Sequence, residues 1–224
     1  MNPQKIRLLF EHDDFLVCEK PHNLAFHSEN NAGESVQGFV ALLREQIGSD
    51  ALYPVHRLDR VTSGALLVAK NSRANSALSQ LFQSKTVDKV YLAISDKKPK
   101  KKQGLISGDM EKSRGGSYKL CRTHLNPSVT RFYACPSDEG WGFWLMPQTG
   151  QTHQLRVACK SLGSPILGDS RYGGTSAERC FLHAYQIKFR YLDEDYCIHA
   201  EPSEPMFLKV LEKLRQRKEL KQGL

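Results

Sequence analysis

The chain has 224 residues, enough for one sizeable domain or two small ones. It is 40% hydrophobic and 25% charged, ordinary values for a globular protein, and no apolar run approaches the ~20 residues of a membrane helix. Its formal net charge of +8 favours a polyanionic partner, which bears on association and not on fold.

Residues 1–20 contain Glu11, Asp13, Asp14 and Glu19 and do not read as a signal peptide. Six cysteines are scattered, none in a Cys-x-x-Cys pair, which argues against a zinc ribbon. Scattered cysteines without a signal predict reduced thiols and a cytoplasmic location.

Residues 6–10 and 15–20 are apolar runs around a polar turn, a predicted strand pair that Lys20-Pro21 ends. Residues 22–33 are polar and irregular, a predicted loop. Ser35 is placed to cap a helix with Val36, Phe39, Val40, Leu43 and Ile47 on its buried face, stopped by Gly48.

Residues 54–70 divide in two. The first half packs His56, Arg57, Asp59 and Arg60 into five positions; the second, 65–69, is an apolar run that predicts a buried strand. Thr62-Ser63-Gly64 between them is turn chemistry. Asp59 is thus expected on a loop that delivers it to the edge of a packed sheet. A carboxylate between two arginines suits a nucleophile or base better than a proton donor. The plain alternative is a surface ion-pair cluster.

Asn71 or Ser72 then caps a helix with Ala74, Ala77, Leu78, Leu81 and Phe82 inward. Residues 89–94 alternate as a strand. Residues 97–102 carry five lysines and a proline: a solvated loop by default, a phosphate-contacting arm on the sharper reading. Residues 112–119 are also basic, with two glycines, and read as an insertion over a cleft. Residues 128–135 and 141–145 predict antiparallel strands, and 152–162 a helix stopped by Gly163. Residues 181–189 and part of 191–199 predict two more strands. A final helix from Pro205 buries Phe207, Val210, Leu211 and Leu214, and its basic tail, 213–221, is expected to fray.

His56-Arg57-Leu58-Asp59-Arg60-Val61-Thr62-Ser63-Gly64, followed by apolar residues and Ala69-Lys70, resembles the central motif of the RluA-type pseudouridine synthases. Lys89-Val90-Tyr91-Leu92-Ala93 resembles that family's Lys-x-Tyr-x-Ala. Residues 145–156, Leu-Met-Pro-Gln-Thr-Gly-Gln-Thr-His-Gln-Leu-Arg, resemble its Leu-x-Pro-x-Thr-Gly-Arg-x-His-Gln-Leu-Arg. Pro165-Ile166-Leu167-Gly168-Asp169 with Tyr172-Gly173 continues the pattern. Gln151 stands where the family usually has arginine, and Ala158 where histidine is usual. The resemblance runs from about residue 6 to 205, leaving no room for the small N-terminal RNA-binding domain of many relatives.

The resemblance implies a single α+β domain over 1–224: a large, mainly antiparallel mixed sheet, flanked by helices, crossed by a basic cleft. It implies an isomerase that converts uridine to pseudouridine in ribosomal or transfer RNA, without cofactor or metal, acting as a monomer on a flipped-out uridine. It places catalysis on Asp59 as nucleophile, Tyr91 against the base and Arg156 as partner of Asp59. It places Arg57, His56, Arg60, Leu155 and Thr62 at the substrate, with His56 the more structural of these. Two other classes compete: a non-catalytic RNA-binding protein of this fold, and a glycoside hydrolase. The first would tolerate loss of Asp59, Tyr91 or Arg156; the second needs a second facing carboxylate, and none stands out near Asp59.

Overall fold

The computed structural model describes residues 5–31 and 34–216. In chain order it contains β1 (Arg7–Glu11), β2 (Phe15–Lys20), β3 (Glu29–Asn31), β4 (Glu34–Val36), α1 (Phe39–Ile47), β5 (Tyr53–Pro54), β6 (Ser63–Ala69), α2 (Ser72–Gln83) and β7 (Asp88–Ser95). Then come β8 (Gln103–Gly108), β9 (Met110–Lys112), β10 (Tyr118–Leu120), β11 (Ser128–Ser137), β12 (Gly140–Pro147), α3 (Gln154–Ser161), β13 (Leu182–Tyr191), β14 (Glu194–His199) and α4 (Pro205–Arg215). Short 3-10 turns lie at Arg114–Gly116 and Ser170–Tyr172. The class is α+β, with extended, mainly antiparallel sheet structure flanked by helices. The chain divides into two compact units, Met1–Asp88 with Ala184–Glu201, and Lys89–His183 with Pro202–Leu224.

In the first unit the strand order is β1-β2-β6-β13, with β14 on β13 and β5 on β6. All seven β6 residues are buried, so both faces of this strand are covered, as the apolar run at 65–69 demands; Ser63 and Gly64, expected in a turn, already belong to the strand. Phe15 and Val17 of β2, Leu67 of β6, Ala74 and Leu78 of α2, and Phe189 of β13 share one core. α2 begins where Asn71 Oδ1 accepts the Ala74 N–H at 2.8 Å. The other amide end, Nδ2, donates to Asp14 Oδ1 at 2.8 Å, and the Tyr191 hydroxyl donates to Asp14 Oδ2 at 2.9 Å. One cap residue therefore ties α2 to the β1–β2 turn and to β13.

In the second unit the strand order is β7-β12-β11-β8. α4 buries Phe207, Val210, Leu211 and Leu214, as its spacing predicts. Its start is held by buried Arg179, which pairs with Glu204 and lies 5.4 Å from the Phe207 ring centroid. Residues 110–120 form the β9–β10 hairpin.

Two expected helices start later than predicted. Ser35 does not cap α1, and Val36 lies in β4, exposed. α1 opens at Phe39 because the Ala25 and Phe26 carbonyls take the Phe39 and Val40 N–H groups, at 2.8 and 3.3 Å. Those bonds satisfy two of the orphan donors that a side-chain cap would otherwise serve. α3 opens at Gln154, not 152, because His153 adopts a left-handed conformation (φ 60°). β3 lies in the expected 22–33 loop, and β8 follows the lysine run directly. α4 ends at Arg215; the expected fraying beyond 216 lies outside the described residues.

Candidate active site

The Asp59 loop is built by a lysine. Lys20, at the end of β2, is fully buried, an expensive position for an ammonium group unless its donors are used. Nζ donates to the carbonyls of Pro21 (2.7 Å), Leu24 (2.8 Å) and Arg60 (3.2 Å). It joins the end of β2, the loop after it and the residue next to Asp59. The sequence marked Lys20 as a strand end; its clamping role needed the fold.

Asp59 itself is half-buried, between buried Leu58 and a turn in which the Thr62 N–H donates to the Asp59 carbonyl at 3.0 Å. Thr62 is 3% exposed. Arg60 directs its guanidinium to the preceding loop: Nε donates to the Asn23 carbonyl (3.2 Å) and Nη1 to Glu29 (2.9 Å). The expected flanking of Asp59 by two arginines is thus changed on one side, where Glu29 takes the charge. Arg57 is exposed, with Cζ 5.9 Å from the Phe26 ring centroid. His56 stacks on Phe82 at 4.5 Å and its Nε2 accepts the Leu67 N–H at 3.0 Å. That pair of contacts fixes the entry of the loop against β6. Gly64 ends the motif at φ 112°, where an added Cβ would lie 2.2 Å from the Ala184 carbonyl oxygen. No other residue fits there.

In the second unit Tyr91 sits half-buried on β7, opposite Leu145 of β12. Arg156, in the first turn of α3, forms a two-bond fork with Asp169: Nε to Oδ2 at 2.8 Å and Nη2 to Oδ1 at 2.7 Å. Both side chains are buried, and the guanidinium carbon lies 5.0 Å from the Tyr172 ring centroid. The Tyr172 hydroxyl accepts the Tyr118 N–H at 3.0 Å and shares a 2.8 Å hydrogen bond with His153 Nδ1. Burial pushes the Tyr172 phenol up from its ordinary value, against the lowering effect of the Tyr118 N–H. Sequence reasoning found Arg156 and missed Asp169 and Tyr172 as its supports. Their motif, Gly168-Asp169 with Tyr172-Gly173, was the available signal.

Gln154 holds α3 in place. Its Oε1 accepts from Thr149 Oγ1 (2.7 Å) and the Gln151 N–H (3.0 Å), and its Nε2 donates to the Val129 carbonyl and Thr130 Oγ1, both at 3.0 Å. Leu155 beside it is 7% exposed. Gln151, the first departure from the family pattern, donates through Nε2 to the Asn126 carbonyl at 2.9 Å, so a neutral structural contact stands where arginine is usual. Ala158, the second, is buried, and its carbonyl accepts Ser161 Oγ at 2.7 Å.

Burial pushes the Cys18 thiol up to about 12, and burial pushes the Cys159 thiol up as well.

Residues 14–161 match the family model for RNA pseudouridylate synthase. A protein of Haemophilus influenzae bearing the name uncharacterized RNA pseudouridine synthase is 44% identical over 91% of this chain and 90% of its own length. The ribosomal large subunit pseudouridine synthase C of Rickettsia bellii is 36% identical over 80% of this chain, matched along 62% of its length. The human RNA pseudouridylate synthase domain containing 1 has the same fold, with a TM-score of 0.73 over 97% of this chain and 98% of its own, at 24% identity. The motifs, the fold and the match across most of the chain lead to one conclusion: this chain belongs to the RNA pseudouridylate synthase family and is an RNA pseudouridine synthase, an isomerase.

Proposed function

We propose that the enzyme acts on ribosomal RNA, with Asp59 as the reacting carboxylate. The observation that carries this is the match of residues 56–64 to the family motif, on a loop whose backbone is clamped by buried Lys20. Ribosomal RNA as target draws its support from the name of the Rickettsia bellii relative, ribosomal large subunit pseudouridine synthase C.

The reaction breaks the N1–C1′ bond of uridine and forms C5–C1′. C5 loses a proton and N1 gains one, so the atoms balance without oxidant or group donor. A uridine in a stack must first be flipped out. Asp59 then acts on the sugar or the base, as nucleophile or as base toward a sugar proton. Tyr91 lies against the base. Arg156 is assigned to the reaction by its match to the family motif, its direction set by Asp169 and Tyr172. Arg57, exposed on the same loop as Asp59, fills the vacated place in the stack or holds the flipped backbone. His56, Arg60 and Thr62 position the loop, and Leu155 packs beside Arg156. The protein works as a monomer in the cytoplasm, a location supported by its six free thiols.

Mapping pseudouridines in ribosomal and transfer RNA from cells with and without the gene tests the target. Loss of a ribosomal site is expected; a loss confined to transfer RNA would redirect the proposal.

A further inference from the structure

The run at 97–102 has a fixed backbone and unspent charge. Lys97, Lys98, Lys100, Lys101 and Lys102 are all exposed, while Pro99 among them is buried. Ser164 Oγ, itself inaccessible, donates to the Lys97 carbonyl at 2.6 Å. The Lys100 N–H donates to the Leu162 carbonyl at 2.9 Å, and the Lys102 carbonyl accepts the Ala134 N–H at 2.6 Å. The segment is therefore pinned at its start, middle and end. Among the described residues none of the five lysines has a carboxylate partner, and neighbouring Asp96 accepts instead from Thr175 Oγ1 at 2.6 Å.

Five like charges in six residues repel one another, and a pinned backbone keeps them from spreading apart. Two structural roles compete. Cations beside the C-terminal end of α3 complement its dipole, but the effect fades within a turn and does not call for five. Lysines beside the edge strand β8 guard against strand pairing, but Lys97 and Lys98 precede that strand by several residues. A polyanion satisfies the whole run at once.

We infer that the loop at 97–102 is a preordered contact for the phosphate backbone of the RNA substrate near the target uridine. This rests on the reading of the chain as an enzyme of RNA. Leu162, which holds Lys100, lies six residues beyond Arg156 along α3 and its cap, about 9 Å at the rise of a helix. That spacing puts the lysines within a few phosphates of a nucleotide held at Arg156. Because the backbone is already ordered, binding loses little loop entropy, and the contact is electrostatic and independent of sequence.

The test compares two triple variants of equal net charge: Lys98→Ser, Lys100→Ser, Lys101→Ser, and Lys5→Ser, Lys85→Ser, Lys188→Ser. Affinity for a uridine-containing single-stranded ribosomal RNA fragment is measured from 50 to 300 mM salt, with a thermal melt of each protein. A single-stranded phosphate contact contributes roughly −0.7 to the slope of log K against log salt. The loop variant is expected to lose between about 1.4 and 2.1 units of slope, two to three contacts on that scale, with an unchanged melt. The control variant is expected to keep the wild-type slope. Equal flattening in both variants would reduce the effect to net charge and overturn the proposal. An unchanged slope with a lowered melt would overturn it in favour of a helix-end role. Pseudouridine formation is read separately on the same RNA. An inactive wild type with a lysine-dependent slope would fail the enzymatic reading and still support this one.

Discussion

Arg156 and Asp169 are joined by two N–H···O bonds of 2.8 and 2.7 Å, with the guanidinium carbon 5.0 Å from the Tyr172 ring centroid. A guanidinium held at two atoms has one orientation, so Asp169 sets where Arg156 aims its remaining edge. Asp169→Asn should destabilise the protein by about 3–5 kcal/mol, the usual result of leaving one partner of a buried pair uncompensated. Urea unfolding measures this. Single-turnover rates should fall further than RNA affinity. An Asp169→Asn protein with wild-type stability and rate would mean that the fork does not position Arg156.

Lys20 offers a second test of support at a distance from the chemistry. Its ammonium group serves three carbonyls, one of them Arg60 beside Asp59. Lys20→Met keeps most of the buried stem and removes the donors. Hydrogen bonds to a charged group contribute about 1.5–3 kcal/mol each, and the orphaned carbonyls can relax toward water, so a net loss of about 3 kcal/mol is expected. The turnover number should drop with little change in KM, because the loop is loosened and no substrate contact is removed. An unchanged turnover number would show that the clamp does not govern Asp59.

Two motif glycines should respond oppositely. At Gly64 a Cβ would meet the Ala184 backbone at 2.2 Å, with φ 112°. At Gly150 nothing lies within 4 Å of an added Cβ. Gly64→Ala should unfold the protein or cost more than about 3 kcal/mol, whereas Gly150→Ala should stay within about 0.5 kcal/mol. Thermal melts decide it; equal tolerance at both sites would contradict the β6–β13 packing.

Much of the architecture is legible in the residues. The apolar run at 65–69 within β6, the Asn71 cap and the stripe of α4 follow from periodicity and capping. What escapes is tertiary in origin. Ser35 looks like a cap, but the Ala25 and Phe26 carbonyls, upstream of Phe39 and Val40, satisfy the start of α1 instead. β8 has too few apolar residues to signal a strand, and gains its pairing from β11. At the site, motif likeness marked Asp59, Tyr91 and Arg156. It left open that Arg60 is spent on Glu29 and that Lys20 lies beneath the loop, since both depend on where the 21–29 segment folds back.

Acid stability should report on Asp14. Hydrogen bonds from Asn71 and then Tyr191 hold its carboxyl below the usual value, with Arg73 adding to them against the effect of burial. A depressed folded pKa contributes stability that is present above the unfolded value, near 4, and is lost as pH falls through the lower folded value. Unfolding free energy should therefore decline below pH ~4 in the wild type. Asp14→Asn should be less stable at pH 7 and show a shallower decline on the acid side. Parallel curves for the two proteins would remove Asp14 from the account.

The central claim is that Asp59 carries out the isomerisation. Asp59→Asn changes one charge on a loop whose anchors, Lys20, His56 and Gly64, are untouched. Tritium release from RNA labelled at uridine C5 should fall to background. The thermal midpoint and the RNA affinity should remain those of the wild type. A folded Asp59→Asn protein that still released tritium at a substantial fraction of the wild-type rate would contradict the claim.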